Sequence, residues 1–279
     1  MKLFSALFDG LCIFVVFGLV LLMYTKYDKI ISLENNQVAI QDISKEELKV
    51  DNTKLVDNNT SFISDSGIEY YNEASVSTDI PVFTGLVSSS SSGPQILIYH
   101  THTSETYFND QGSVVDVGNL LADLLKAKGY NVIHDTTIND ADYNNSYETA
   151  YVNVEKILKA NPTIQCIIDV HRDSATKDMV VKDQGIEYAK LMLVVGTNVR
   201  LSNSIWENNL SFAKAIHLNC LERVDEIIKP IYLSKNRYNQ HLCQNSVIVE
   251  VGGLENTIFE ALNATYILAE AIDSSLQGK

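Results

Sequence analysis

Cysteine is scarce in this sequence, and its spacing excludes the usual cysteine-based architectures. The 279 residues include four cysteines, Cys12, Cys166, Cys220 and Cys243. No two of them have the C-x-x-C spacing of a thiolate zinc site, and they do not form the framework of a disulfide-rich domain. Cys166 lies in an apolar run and Cys220 in a helical pattern, which is typical of cysteines that pack in a core.

Basic residues are also few. The chain has 21 Lys and Arg against 35 Asp and Glu, and its formal net charge is -14. A surface of this sign repels the phosphates of nucleic acids, and no basic stripe runs along the chain. The composition therefore argues against DNA or RNA binding. A repeat of fixed period is absent as well.

The first 26 residues are predicted to anchor the chain in a membrane. From Leu3 to Tyr24 nearly every residue is apolar, and Asp9 is the only charged one. A spanning helix needs about 20 apolar residues, so Asp9 must lie near an interface for this helix to span. A cleaved signal peptide is the alternative, but Lys2 is the only charge before the run and no small-residue cleavage site follows it.

Residues 27–92 are polar and acidic, and we predict that they form a largely disordered linker. Their apolar content is too low to offset the entropy of an ordered chain. The stretch ends in a serine run from Ser88 to Ser92, followed by Gly93-Pro94. Ile80-Pro81-Val82-Phe83 is a short apolar piece that can dock on the domain. Residues 93–279 form the predicted folded domain.

Short apolar strands alternate with amphipathic helices from residue 93 onward. The predicted strands cover about 96–99, 131–134, 164–170, 191–195, 231–233 and 247–249, and the predicted helices about 114–128, 147–159, 206–224 and 257–276. This alternation predicts an α/β fold with a mainly parallel central sheet and helices on both faces.

Three of these strands end in residues that bind metals or move protons. His100, His171 and Glu250 each follow an apolar strand directly, and the carboxyl ends of parallel strands share one edge of a sheet. Catalytic zinc takes three protein ligands, such as imidazole and carboxylate, and leaves a position open for water. His100 and His171 are therefore predicted zinc ligands, and Glu250 is the predicted acid/base.

The third zinc ligand stays open at this point. Glu105 is preferred, because a turn of the chain after His100 would bring this carboxylate within reach. His102 is an alternative if the strand continues, since residues i and i+2 share a face. Asp116 is the other alternative, although a carboxylate at the start of a helix is also favourable without a metal.

Other polar residues nearby are predicted to bind substrate or to support the site. Arg172 can grip a carboxylate in a bidentate fork, and Asp173 can orient the site. His102 belongs to this group if Glu105 is the third ligand. Asn256 is included too, with a helix N-cap as its alternative role. The remaining histidines are predicted to be structural or solvated: His134, His217 and His241.

Four motifs occur in the predicted domain in a fixed order. They are Tyr99-His100-Thr101-His102-Thr103-Ser104-Glu105, Asp169-Val170-His171-Arg172-Asp173-Ser174, Tyr238-Asn239-Gln240 and Glu250-Val251-Gly252. In this order they resemble stage II sporulation protein P, a family of membrane-anchored cell-wall hydrolases of endospore-forming bacteria. The resemblance covers the chain from about Ser92 to the C-terminus, and the anchor and linker fit the same layout.

The resemblance implies a zinc-dependent N-acetylmuramoyl-L-alanine amidase that acts on peptidoglycan, with a fold similar to the general zinc amidases. It also implies cleavage of peptide cross-links, and action during engulfment beside stage II sporulation proteins D and M. His100 and His171 would be zinc ligands, and Glu250 the acid/base. The family carries an acid at the Glu105 position, whereas the general amidases have their glutamate where this chain has Asp116.

The resemblance further implies a single-pass membrane protein whose domain lies outside the cytoplasm, because the substrate is there. Lys26 and Lys29 follow the predicted anchor while Lys2 precedes it, and a count of these charges alone would predict the opposite orientation. Two alternative functions stay open. One is a zinc carboxypeptidase or endopeptidase that acts only on stem peptides, and the other is a non-catalytic, membrane-tethered wall-binding scaffold.

Overall fold

The computed structural model of the chain describes residues 69–70, 80–86 and 95–279. The predicted anchor, 1–26, and most of the predicted linker, 27–92, lie outside the described residues. None of the helices in the described part combines the length and the apolar character that a membrane span requires.

The described elements follow the predicted alternation of strands and helices. In chain order they are β1 (Glu69–Tyr70), β2 (Ile96–Tyr99), α1 (Val114–Ala127), β3 (Val132–His134), α2 (Ser146–Ala160), β4 (Cys166–Asp173), β5 (Val180–Asp183), β6 (Ile186–Ala189), β7 (Leu191–Gly196), α3 (Trp206–Leu221), β8 (Tyr232–Ser234), β9 (Ser246–Gly253) and α4 (Ile258–Leu276). The β5–β6 hairpin was not predicted. β4 and β9 run on past their predicted ends, so His171 and Glu250 lie within strands rather than after them.

The central sheet has the strand order β1-β8-β7-β9-β4-β2-β3. β2 pairs in parallel with β3 and β4, and β4 pairs in parallel with β9. The prediction of a mainly parallel sheet is therefore confirmed. β7, however, runs antiparallel to β9, and β8 follows the direction of β7. The reason is the connection from β4 to β7, which contains a hairpin in place of the crossover helix that returns a chain to the same end of a sheet.

Helices cover both faces of the sheet, but unequally. Successive side chains of a strand point to opposite faces. On what we call the first face, Ile98, Ile168 and Val249 pack with α1, α3 and α4. On the second face, Leu97 and Ile167 pack with α2.

Two short pieces of the predicted linker belong to the folded domain. β1 pairs with β8 in antiparallel orientation, and residues 80–86 lie against the helices of the first face. The ring of Phe83 packs on Phe212 with a centroid distance of 5.1 Å. The N–H of Leu86 donates to the carbonyl oxygen of Leu276 at 2.9 Å. The expected docking of this apolar piece is therefore confirmed.

Phe83→Ala tests this docking. We expect it to lower the free energy of unfolding by about 1–2 kcal/mol, because a half-buried aromatic contact with the core is lost. Val82→Ala is the matched control, since Val82 is 84% exposed and its loss should change stability by less than about 0.5 kcal/mol. Urea unfolding of the full chain measures both variants, and equal effects would contradict the docking.

Candidate active site

Two predicted site residues lie side by side in the sheet. His171 of β4 is in register with Glu250 of β9, so both side chains emerge on the second face. Asp169 precedes His171 by two residues and shares this face, with Tyr99 of β2 as its register partner. The sheet therefore brings an imidazole and two carboxylates together near the carboxyl ends of its parallel strands.

His100 lies on the opposite face of the sheet from His171. Its ring packs against α1, where a Cβ atom at Gly118 would be 2.7 Å from its Nε2. Its Nδ1 donates to the carbonyl oxygen of Val170 at 2.9 Å. The fold thus separates the two histidines that were predicted to share a zinc ion, because the alternation along β2 turns His100 to the first face.

His100 instead forms a pair with His134. Their Nε2 atoms are 2.8 Å apart, and the other ring nitrogen of His134 lies 3.1 Å from Oδ1 of Asn119. Burial lowers the pKa of His100, and burial together with nearby positive charge lowers the pKa of His134 to about 4. Both rings are therefore neutral at pH 7. This matches the structural role predicted for His134.

His102 is the histidine whose ring meets His171. The loop after β2 carries it to the second face, where the two ring centroids are 5.3 Å apart and the planes cross at 80°. The side chain is 7% exposed, and its Nδ1 is buried without a hydrogen-bond partner among the described residues. Burial lowers the pKa of His102, so the ring is in the neutral form that binds metals.

Two carboxylates hold the loop that carries His102. Asp169 accepts hydrogen bonds from the N–H and the hydroxyl of Thr101 at 2.9 and 2.7 Å. Asp140 accepts the hydroxyl of Thr103 at 2.7 Å, and the N–H and hydroxyl of Ser104 at 3.0 and 2.5 Å. These bonds fix the turn of the chain that follows β2.

Glu105 and Asp169 contact the two ring nitrogens of His171. Oε2 of Glu105 accepts the N–H of Arg172 at 3.0 Å and lies 3.5 Å from Nδ1 of His171. Nε2 of His171 lies 2.9 Å from Oδ1 of Asp169, but out of line for a directed hydrogen bond, so this contact is an ion pair. Burial alone would lower the pKa of His171, but the two carboxylates raise it well above its usual value.

Glu250 lies beside this group and is partly buried. Its Oε2 has no hydrogen-bond partner among the residues that the structure describes. Burial raises the pKa of Glu250 to about 7. The charges of Glu105, Asp173 and Asp169 also raise this pKa, whereas His171 lowers it. A carboxyl group with a pKa near neutrality can both accept and donate a proton at pH 7.

Arg172 and Asp173 bind the backbone around the site. Nε of Arg172 donates to the carbonyl oxygen of Thr106 at 3.0 Å. Asp173 accepts the N–H of Ala175 at 3.1 Å and lies 3.4 Å from Nζ of Lys229. Both residues therefore hold neighbouring segments in place, and their contact with substrate stays a prediction.

Asn256 and Asp116 also have structural partners. Oδ1 of Asn256 accepts the N–H of Gly253 at 2.7 Å, and its amide donates to the carbonyl oxygen of Met179 at 3.0 Å. The N-cap of α4 is the next residue in the chain. Asp116 is exposed, and its carboxylate accepts the N–H of Ser113 at 2.8 Å in a capping box at the start of α1.

The side chains on the second face have donor atoms of the kind that zinc binds, but they are not arranged as a zinc site. No group of three or more His, Cys, Asp or Glu side chains in the described part of the chain has the arrangement of a metal site. Nδ1 of His102 and Oε2 of Glu250 are nevertheless buried without a hydrogen-bond partner there. Imidazole and carboxylate are the ligands of catalytic zinc, so these side chains carry the donor atoms that zinc takes.

The sequence reasoning missed Asp169 and Asp140. A signal for Asp169 was available, because it is an acidic residue in an apolar strand two positions before His171, and such residues share a face. Asp140 lies in a loop without periodic pattern, and its partner Ser104 is 36 residues away. Only the tertiary structure reveals that contact.

Comparison with known proteins gives one family and one curated relative. The family model of stage II sporulation protein P matches residues 21–273. The chain is 27% identical over 206 residues to stage II sporulation protein P of Bacillus subtilis (strain 168), a match that covers 63% of this chain and 49% of that protein. The chain thus spans about half the length of the curated relative it matches.

Solved structures with some similarity include cell-wall amidases. N-acetylmuramoyl-L-alanine amidase AmiC2 of Nostoc punctiforme is 14% identical with a TM-score of 0.44, over 66% of this chain and 94% of that one. The CwlD amidase of Clostridioides difficile, solved in complex with the GerS lipoprotein, is 12% identical with a TM-score of 0.46, over 66% of this chain and 100% of that one.

Asp169→Asn tests how the site is held together. We expect it to lower the free energy of unfolding by about 2–3 kcal/mol, because an amide cannot accept both bonds from Thr101 and pair with the His171 imidazolium. Asp116→Asn is the matched control; it changes an exposed cap and should cost less than about 1 kcal/mol. Chemical denaturation measures both, and a loss at Asp169 no larger than the control would contradict the assignment.

Proposed function

The chain belongs to the stage II sporulation protein P family, and on this premise we propose that it is a zinc-dependent peptidoglycan hydrolase of sporulation. The bond that we propose it cleaves is the amide between N-acetylmuramic acid and L-alanine. One observation carries the proposal: His102, Glu105, His171 and Glu250 converge on one face of the sheet, and Nδ1 of His102 and Oε2 of Glu250 are buried without a hydrogen-bond partner among the described residues.

Within this proposal, His102, Glu105 and His171 are the zinc ligands. This differs from the prediction that paired His100 with His171, because His100 donates to Val170 on the other face while the ring of His102 meets that of His171. Asp169 contacts Nε2 of His171, so Nδ1 would be the ligating nitrogen, and zinc binding there would release the proton that the two carboxylates favour in the metal-free site. A bound zinc ion supplies Lewis acidity that polarises the scissile carbonyl.

Glu250 is the group that moves the proton in this proposal. Its pKa of about 7 allows it to take a proton from the attacking water and return it to the alanine nitrogen as that nitrogen leaves. Its register with His171 turns it toward the same space. Its partial burial among carboxylates keeps its carboxyl group poised between its two protonation states.

The proposal also includes the predicted layout: a membrane anchor, a domain outside the cytoplasm, and partnership with stage II sporulation proteins D and M. The anchor lies outside the described residues. These features stay predictions, supported by the sequence pattern and by family membership.

His102→Ala is expected to abolish both zinc binding and release of stem peptides from purified cell wall. The control His217→Ala changes a half-buried histidine on α3 and should keep activity within about twofold of the original chain. Zinc content of the purified variants and peptide release from the wall are the two measurements.

His100→Ala decides between the two ligand assignments. We expect the folded His100→Ala variant to keep its zinc, because the ring of His100 in the original chain lies on the first face. A His100→Ala variant that is folded and free of zinc, beside a His102→Ala variant that retains zinc, would show that our assignment of His102 is wrong.

Glu250→Gln is expected to keep its zinc but to lower kcat by about 10²–10⁴-fold, because an amide cannot accept the proton. Mass spectrometry of wall digested by the original chain identifies the bond that is cut. Glycan free of peptide is the expected product, whereas trimmed stems still attached to glycan would mean a carboxypeptidase or endopeptidase. Intact wall after incubation with the zinc-loaded chain would contradict the proposal and favour a wall-binding scaffold.

A further inference from the structure

Three tyrosines at four-residue spacing border the candidate active site, and we call them the tyrosine row: Tyr143, Tyr147 and Tyr151. Tyr143 stacks on His102, with centroids 4.5 Å apart and planes at 18°. Tyr147 meets the same histidine edge-on at 5.6 Å. Tyr151 stacks on His241, with centroids 5.8 Å apart and planes at 6°. The row therefore starts at the site and leads away from it.

Tyr143 differs from an ordinary packing residue because its side chain is 65% exposed. The short 3-10 helix Tyr143–Asn145 holds its backbone. Asp142 caps that helix, accepting the N–H of Asn144 at 3.2 Å and the side-chain amide of Asn145 at 2.7 Å. One face of the ring thus rests on a proposed zinc ligand, and a large part of the ring faces water in a defined position.

We propose that the exposed face of Tyr143 is a platform on which a sugar ring of the substrate's glycan strand stacks. This inference rests on the proposed function and names a substrate-binding residue for it. One face of a pyranose ring carries mainly C–H groups, and it packs well on an aromatic ring while the hydroxyl and acetamido groups stay in contact with water. A sugar on Tyr143 would hold its own lactyl amide beside His102.

The charges around Tyr143 favour a sugar over the stem peptide as the occupant. Asp140 and Asp142 both precede Tyr143 closely in the sequence, and the pKa of Asp140 is lowered by its hydrogen bonds to Ser104 and Thr103 in spite of partial burial. Asp140 is therefore ionised at pH 7. A stem peptide carries carboxylates of its own, which this charge repels, whereas the rings of the glycan strand offer an uncharged surface.

Titration of the full chain with neutral oligomers of N-acetylglucosamine, a peptide-free glycan without lactyl carboxylates, tests the platform. We expect Tyr143→Ala to weaken binding by about tenfold or more, a typical effect of losing one stacked aromatic ring. Tyr143→Phe keeps the ring and should bind within about twofold of the original chain. Tyr151→Ala is the matched control, because it removes a tyrosine stacked on a histidine outside the site. On cell wall, Tyr143→Ala should raise KM with little change in kcat.

Three outcomes would overturn the platform. In the first, Tyr143→Ala binds peptide-free glycan as the original chain does. In the second, the original chain does not bind such glycan and yet cleaves cell wall. In the third, Tyr143→Ala loses zinc, with a fall in kcat at unchanged KM, which would mean that Tyr143 only positions His102. Glycan binding that depends on Tyr143 in a chain that cuts no wall would support the platform and contradict the proposed hydrolase.

Discussion

The contacts of Asp169 join the two halves of the candidate site. This carboxylate is buried in β4, where it pairs with the His171 imidazolium and accepts both hydrogen bonds that Thr101 can donate. Burial would raise the pKa of Asp169, but these partners lower it. The desolvation of a buried carboxylate costs several kcal/mol and is tolerated only with such partners. As a result, the loop after β2 and the end of β4 are held as one unit.

That unit explains which histidine faces the site. Alternation along β2 turns His100 to the first face, where Val170 and His134 occupy its two ring nitrogens. The bonds of Thr101 to Asp169 then turn the chain, and His102 reaches the second face opposite His171. The same turn brings Glu105 to the N–H of Arg172. The buried carboxylate of Asp169 thus links the pairing of β2 with β4 to the set of side chains that meet in the site.

The site combines partly buried acids with an exposed tyrosine. Glu250 has its pKa raised to about 7 by burial among other carboxylates, which suits it to proton transfer. Tyr143 is stacked on His102 and largely exposed to solvent. Under our proposals, the acids carry out hydrolysis of the amide and the tyrosine holds the sugar next to it. A chain with a net charge of -14 would thereby recognise its substrate through uncharged surfaces.

Local patterns in the sequence determined most of the secondary structure, the mainly parallel sheet and the grouping of His171 and Glu250 at one edge, because apolar periodicity and strand ends are properties of short segments. The direction of β7 and the partners of Asp140 depended on the tertiary structure, since they involve segments far apart in the chain. The same holds for the choice between His100 and His102. Two histidines two residues apart have the same local sequence signal, and only the path of the chain beyond Tyr99, held by Asp169, decides which of them faces His171.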